Sequence, residues 1–575
     1  MSEAQNVKIA QMFDAIADVL EFKGEMVFRV NAYRRASRVL QDLREDVTVL
    51  WKDGRLRGVP GIGEGLAEKI EEYLSTGKMK RHEEITKGVP SSLIELLRIQ
   101  GLGPKTLALA NKRLRVETLE DLKRVIENGS LEELPGMGPK KVENIKKGIQ
   151  LFVASKERMS IGVALPIAER IIGELQKAAG VKRISVAGSL RRCRETIGDI
   201  DILCDGKDGA EIIRKFRELP SVAQVLAAGE TKGSIVVEGG VQVDLRVVEP
   251  DSYGAALQYF TGSKAHNVRV REIAKKKGLK VSEYGVFRGK KRIGGRDEED
   301  IYRAIGIPMM PPEIREDWGE IEAAEKGELP ELVEPLDIKG DFHVHSKYSD
   351  GIASIADIAG KAVSMGYKYV AICDHSKSAK YAGGMETAVL LRQLEEIKKV
   401  NAGLVNRGLR VLAGVEVDIK ANGTLDFPDD LLEKLDVVVA SIHSGFKQRV
   451  TERIVAAMKN PRVHIIGHPT GRLISRREGY DIDLDRLMEA ARDTGTALEI
   501  NAYYDRIDLS DLNCRKAKEL GVSLAIGTDS HRVEQLEFMK FGLGAARRGW
   551  LEKRDLLNTL PVTRLVTRLR NKGRR

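Results

Sequence analysis

The chain has 575 residues, room for about four domains at roughly 150 residues each. Hydrophobic residues make up 42% and charged residues 31%, enough apolar material to exclude disorder for most of the length. The formal net charge is +10, which is compatible with a nucleic-acid partner without establishing one. No stretch of 18 apolar residues occurs, so no membrane helix is expected. The first twenty residues lack the basic, apolar and cleavage regions of a secretory signal. Cys193, Cys204, Cys373 and Cys514 form no CxxC pair, so reduced thiols and a cytoplasmic location are expected.

The charge is unevenly spread. Residues 1–318 carry a net +8, residues 319–336 a net −5, and residues 337–575 a net +7. The acidic middle segment, with Pro330 and Pro335, reads as a linker between two basic halves. Only His82 and His266 precede residue 337, while seven of the nine histidines follow it.

The first 150 residues repeat one turn three times: Val59-Pro60-Gly61-Ile62-Gly63, Ile99-Gln100-Gly101-Leu102-Gly103 and Leu134-Pro135-Gly136-Met137-Gly138. Each precedes a helix-like stretch. Paired glycines permit a tight turn, and the free N–H groups of the following helix suit a phosphate oxygen. Lys105, Lys140 and Lys141 add cations. Three copies with the same apolar flanks predict helix-hairpin-helix units, which hold a DNA backbone without reading its sequence.

Residues 181–203 read as a strand, a Gly188-Ser189 turn, an arginine-rich helix start and a second strand bearing Asp199 and Asp201. Residues i and i+2 of a strand share a face. Asp244 lies in a further apolar strand, Val241 to Arg246. Three acids on adjacent strands can hold two Mg²⁺ ions about 4 Å apart for in-line phosphoryl transfer. Downstream, residues 264–292 carry eleven Lys or Arg against Glu272 and Glu283, a patch suited to template or primer phosphates.

Beyond residue 337, seven apolar runs each end in a polar side chain. Nine candidate metal ligands sit at these ends: His343, His345, Asp350, His375, Glu416, His443, His468, Asp529 and His531. Seven β-α units imply a parallel barrel with its site at the strand C-termini. Mixed imidazole and carboxylate donors suit Zn²⁺, Mn²⁺ or Fe²⁺, and nine ligands imply two or three ions. His464 sits inside a run, off the pattern, and is expected to be structural.

Several of these segments resemble known families. Asn31 to Ala36 with Val59 to Lys78 resembles the small N-terminal domain of family-X DNA polymerases, the polymerase-β-like group. The resemblance maps that family's Schiff-base lysine onto Lys69, although the second lysine usual four residues earlier is Gly65 here; a plain phosphate contact is the competing reading. Gly188-Ser189 with Asp199-x-Asp201 is similar to the nucleotidyltransferase superfamily, and to the family-X palm in particular. On that resemblance Asp199 and Asp201 bind both metals (Mg²⁺ or Mn²⁺), and Asp244 joins the catalytic one. Gly188, Ser189 and Arg192 then contact the incoming triphosphate. The family often has arginine where this chain has Gln242. Tyr259-Phe260-Thr261-Gly262-Ser263 with Asn267 resembles the nucleotide pocket, with the aromatic pair along the sugar and base and Asn267 at the minor-groove edge. The HxH, Asp, His, Glu, His, His, DxH series resembles the PHP (polymerase and histidinol phosphatase) domain.

The resemblance covers nearly the whole chain and implies a multidomain α/β architecture. Its parts are an N-terminal lyase-like helix-hairpin-helix domain (1–85), a helix-hairpin-helix or fingers region (86–152), an α+β nucleotidyltransferase palm (153–250), a thumb (251–318), the acidic linker (319–336) and a PHP (β/α)7 barrel (337–575). It also implies gap-filling synthesis in DNA repair and metal-dependent 3′-5′ exonuclease activity, with abasic-site endonuclease and 3′-phosphatase activities in some members. The expected partners are gapped or nicked duplex DNA and dNTPs, with no membrane and a monomeric state. Two alternatives stay open: an end-processing nuclease whose polymerase core, with Gln242, only binds DNA, and a small-phosphoester phosphatase fused to a DNA-binding module.

Overall fold

The structure is a computed structural model that describes residues 2–42, 47–59, 62–87, 89–99, 101–177, 181–237 and 239–572. It divides into two compact units, one up to Lys156 and one from Glu157 to Arg575. Among the described residues no helix is long and apolar enough to cross a membrane.

The first unit is all-helical. Its longer helices are Ser2–Phe22, Val27–Asp42, Glu64–Thr76, Pro104–Leu114, Leu119–Glu127 and Pro139–Glu157. Two separate apolar clusters form inside it, one built on Ile9, Phe13, Ile16 and Ile70, the other on Leu102, Leu107, Leu122 and Ile145. Each is a small core of its own, in keeping with two helical modules.

In the second unit, a five-stranded sheet forms the palm, in the order Ile184–Val186, Ile200–Asp205, Val241–Val248, Lys232–Val237, Val222–Ala228. Strand Val241–Val248 buries Val241, Val243, Leu245 and Val247, so alternation leaves Gln242, Asp244 and Arg246 on the other face. The helix Ile161–Leu175 buries Ile161, Ala164, Ala168, Ile171 and Leu175, a three-four spacing that makes one apolar stripe. The thumb combines helices Tyr253–Thr261 and Lys264–Lys276 with a three-stranded antiparallel sheet and helix Glu299–Ile305.

Seven parallel strands follow: Gly340–Val344, Tyr369–Ile372, Arg410–Asp418, Val437–Ser441, Ile465–Ile466, Ala497–Asn501 and Leu524–Gly527, paired in chain order. A parallel bridge between Val344 and Ser530 brings the last strand's end back to the first, so the sheet curls into a near-closed barrel. One apolar cluster takes alternate residues from these strands: Tyr369 and Ala371, Leu412, Val437 and Val439, Ala497, Ala525. Leu565, Val566 and Leu569 of the helix Val562–Arg570 join the same cluster. Continuing each alternation toward the strand C-terminus gives His375, Glu416, His443, Glu499 and Asp529. The inner face is thus apolar at one end, where the last helix packs against it, and lined by the candidate ligands at the other.

Palm and barrel share one continuous apolar cluster that runs from Ile161 and Ile200 to Val438 and Phe541. The expected linker is a correction. Residues 320–326 form a helix, Ile321 and Val333 are wholly buried, and the Val333 N–H donates to Leu551 O at 3.0 Å. Three of its six acids are paired: Glu320 meets His266 at 2.7 Å, Glu322 meets Arg269 at 2.5 Å, and Glu334 meets Arg547 at 2.8 Å. The charge run thus reflects in part pairing with side chains of thumb and barrel, with Glu325, Glu328 and Glu331 exposed. His464, set apart by its spacing, accepts the Val438 N–H at 3.0 Å, a structural role.

Removing part of the helix that packs into the barrel's apolar end tests its role. Leu565 is fully buried, so Leu565→Ala is expected to cost about 2–5 kcal/mol, seen as an earlier thermal transition for the larger unit.

Candidate active sites and nucleic-acid interface

The repeated turns of the first unit share one hydrogen-bond geometry. Ile62, Leu102 and Met137 donate back to Val59, Ile99 and Leu134, each at 3.0 Å. The same three side chains are buried, which pins each turn to its core. Gly63 and Gly103 cap the helices that follow, and Gly101 and Gly136 adopt left-handed φ of 87° and 75°. A Cβ on Gly63, Gly103 or Gly138 would meet nothing within 4 Å. Nothing among the described residues crowds these glycines, so these positions suit a close approach from outside. Lys140 is exposed beside the third turn. Gly61 lies outside the described residues, and so does the side chain of Lys105. Lys69 Nζ donates to Gly65 O at 2.6 Å; the position four residues back supplies a carbonyl, not a second amine.

In the palm, parallel pairing sets Asp201 directly opposite Asp244, with Asp199 just before the strand. One carboxylate oxygen from each lies within 4.8 Å of the others. Burial, then Asp199, then Asp244 push the Asp201 carboxyl up to about 7, against the opposing pull of Arg246 and Arg192, the mark of a buried acid crowded by like charges. That donor set fits divalent cations. Gly188 has a φ of 56°, and a Cβ there would sit 2.1 Å from Asp201 Oδ2; only glycine lets the turn pass. Gln242, the departure from the family pattern, donates from Nε2 to Asp244 Oδ1 at 3.0 Å. It orients the third carboxylate, which removes the sequence argument for an inert core.

Arg192 is held by Glu316, with Nε donating at 3.0 Å, and by the Thr261 carbonyl through Nη1. Tyr259 and Phe260 meet edge to face at 5.2 Å, and Arg246 lies 4.5 Å over the Phe260 ring. Asn267 is nearly buried, and both ends of its amide are engaged: Gln258 donates to it and it donates to Tyr259 O, each at 2.7 Å. An amide carries a further donor and acceptor beyond these. In the basic patch, Arg269 is committed to Asp317 and Glu322, while Arg271, Lys275, Lys276, Arg288 and Lys290 are exposed.

The barrel brings all nine expected ligands together. Their donor atoms fall into three overlapping groups: His345, Asp350, His375 and His531; His343, His345 and Asp529; His375, Glu416 and His443. His468 Nε2 joins through Glu416 Oε1 at 3.0 Å. His343 and His345 bring their Nε2 atoms within 3.2 Å, and the buried His345 Nδ1 makes no hydrogen bond among the described residues. Burial, then repulsion from His531 and His375, lowers His345 to about 4, so at neutral pH it is an uncharged donor ready for a cation. His468 and Asp529 take left-handed φ of 27° and 53°, a local cost of order 1–3 kcal/mol each met by firm anchoring. The His468 N–H donates to Glu499 at 2.6 Å and the Asp529 N–H to His343 O at 2.8 Å.

Sequence reasoning missed the side chains that aim the ligands. Glu499 Oε1 meets His343 Nδ1 at 2.7 Å, and Asp418 meets His443 Nδ1. Each leaves Nε2 as the nitrogen for a cation. Asn501 donates to Asp529 at 3.1 Å. The available signal was strand alternation, which places Glu499 on the inner face two residues before Asn501.

A nucleotidyltransferase-type palm and a PHP-type barrel in one unit, each with a cluster suited to divalent metals, define a two-centre phosphoryl-transfer protein. The chain belongs to the family-X DNA polymerases that carry a C-terminal PHP domain. Family models match at residues 4–79 (helix-hairpin-helix domain), 93–150 (SAM-like helix-hairpin-helix tandem), 256–316 (DNA polymerase beta thumb) and 341–503 (PHP domain). It is 41% identical over 96% of both chains to the DNA polymerase/3′-5′ exonuclease PolX of Bacillus subtilis (strain 168). Over 33% of its length it is 34% identical to a probable phosphatase of Thermoanaerobacter sp. (strain X514), covering 78% of that protein. Over 40% of its length it is 30% identical to a probable phosphatase of Syntrophotalea carbinolica, covering 97% of that protein.

Two outcomes follow from the palm geometry. Gly188→Ala is expected to abolish primer extension while leaving 3′-end trimming intact, measured on one preparation. Protons and cations compete for Asp201, which is protonated below about 7; the Mg²⁺ concentration for half-maximal extension is therefore expected to rise as pH falls from 8 to 6.

Proposed function

We propose that this protein fills short gaps in DNA as a DNA-directed DNA polymerase and trims 3′ ends with a separate, barrel-borne 3′-5′ exonuclease. The observation that carries the reading is the presence, in one compact unit, of two distinct ligand clusters: three carboxylates set by strand register and nine side chains set by barrel strand ends. The relative from Bacillus subtilis, whose name states both activities, supports it over nearly the full length.

In the palm, Asp199, Asp201 and Asp244 would hold two Mg²⁺ or Mn²⁺ ions, and Gln242 fixes the face that Asp244 presents. Gly188, Ser189 and Arg192 receive the triphosphate, through the backbone of the turn and the guanidinium. Tyr259, Phe260 and Gly262 line the sugar and base, and Asn267 supplies its remaining amide hydrogen to the minor-groove edge. In the barrel, three overlapping groups suit up to three ions of the Mn²⁺, Zn²⁺ or Fe²⁺ class. Glu499 and Asp418 keep the imidazoles of His343 and His443 turned inward. Cations bound at the two centres neutralise phosphate charge and make the attacking hydroxyl or water easier to deprotonate.

The turns at Gly61, Gly63, Gly101, Gly103, Gly136 and Gly138, with Lys105 and Lys140, take the phosphates of gapped or nicked duplex. Lys69, held by one carbonyl, reads better as a further phosphate contact than as a lyase nucleophile. The protein acts as a monomer in the cytoplasm, in keeping with its four free thiols. The phosphatase relatives of the barrel favour, as a secondary activity, removal of a 3′-phosphate.

Separation of function tests the proposal. Asp199→Ala is expected to lower gap filling by roughly 10³-fold or more and to leave 3′ trimming within twofold. His343→Ala is expected to do the reverse and to lower the metal content of the purified protein. Synthesis undiminished in Asp199→Ala would sink the polymerase assignment; trimming retained in His343→Ala would sink that of the barrel.

A further inference from the structure

Arg192 sits where palm, thumb and barrel meet. Its Nε donates to Glu316 Oε1 at 3.0 Å. The same oxygen accepts Nη1 of Arg548 at 2.9 Å. Arg548 ends the barrel helix Met539–Arg548, and it reaches further. Its Nη1 also donates to the backbone carbonyl of Arg192 at 2.8 Å and to that of Glu313 at 3.2 Å. Its Nε is anchored on Asp511 at 2.8 Å. The side chains of Arg548, Glu316 and Arg192 are only 2%, 9% and 13% exposed. One barrel arginine therefore grips both the main chain of Arg192 and the carboxylate that orients its side chain.

We propose that Arg548 is a positioning residue for nucleotide binding: through Glu316 it fixes the Arg192 guanidinium in the attitude that receives the triphosphate. The inference rests on the reading of Arg192 as a triphosphate contact. A free arginine side chain carries substantial rotamer entropy. Freezing it before the ligand arrives removes that cost from binding. Once Nε and Nη1 are engaged, Nη2 remains as a donor for an anion. Thr261 O, the acceptor of Nη1, lies in the Tyr259–Ser263 segment, so the aromatic pair is keyed to the same anchor.

Simple adhesion between the domains does not require this arrangement. Glu195 pairs with Arg472 at 2.6 Å, and Arg515 donates to Trp318 O at 2.9 Å. Both tie the barrel to palm or thumb without touching Arg192 or Glu316. The bonds of Arg548 converge instead on one side chain of the polymerase centre.

Steady-state gap filling by the full-length protein tests the proposal with five variants: Arg548→Ala, Arg548→Lys, Glu316→Gln, Arg192→Ala and Glu195→Gln. Arg548→Ala is expected to raise the dNTP KM five- to tenfold with kcat within about twofold, and Glu316→Gln to act in the same direction. Arg548→Lys recovers part of the loss, because an ammonium can reach Glu316 but cannot span it and the two carbonyls as the guanidinium does. Glu195→Gln leaves KM unchanged. If Arg548→Ala does not fold, Arg548→Lys and Glu316→Gln carry the test. An unchanged KM in both, or a kcat that falls with the active fraction while KM stays constant, overturns the proposal. Arg192→Ala separates the two readings: a raised KM there with none in the Arg548 variants defeats this inference alone, and no effect of Arg192→Ala defeats the reading beneath it as well.

Discussion

Ionisable side chains held in close clusters set the terms for the larger unit. Three carboxylates in the palm crowd their oxygens within 4.8 Å of one another, and in the barrel three carboxylates meet six imidazoles, as Glu416 meets His468 at 3.0 Å. Flexible loops would let such groups drift apart, so the chain mounts most of them on or beside strands whose registers leave little play. The price appears as local strain, in the left-handed backbone of His468 and Asp529, and as close clearances such as Gly527, where a Cβ would lie 2.4 Å from Glu499 Oε1. A divalent cation would offset the mutual repulsion of the palm acids, and the mixed donors of the barrel suit one as well.

That rigidity extends across the palm–barrel junction. The apolar cluster passes from one to the other. A Cβ on Gly162 would strike the Tyr504 ring at 2.2 Å, and one on Gly544 would lie 3.0 Å from the Cys193 Cβ. Backbones pass too closely there for larger residues. Buried pairs such as Arg548–Glu316 add direction to this contact more than net stability, since desolvation offsets much of their attraction.

Legibility in the sequence followed chemistry. Paired aspartates on a strand, a Gly-Ser turn and histidines at the ends of apolar runs announce themselves because metal and phosphate chemistry admits few residue types. All nine candidate ligands of the barrel and the three palm acids are brought together for that reason. The supporting groups were harder to see. Glu499 and Asp418 are ordinary acids in sequence, and only their inward parity on a strand distinguishes them. Arg548 reads as a charge at a helix end until its burial is known. Residues 319–336 misled because pairing with Arg269, Arg547 and His266 looks, in composition, the same as solvation. Gln242 departs from a family pattern yet still donates to Asp244.

The packed segment before the barrel has a kinetic meaning. With palm and barrel locked in one body, neither centre can swing toward a DNA end held at the other. On the function proposed above, the primer terminus would have to travel, and to do so it would have to unpair and leave the first site. A well-paired end does this rarely and a mismatched end often. The choice between extending and erasing would then fall to the melting of the last few base pairs, with the duplex itself as the arbiter of its own correction.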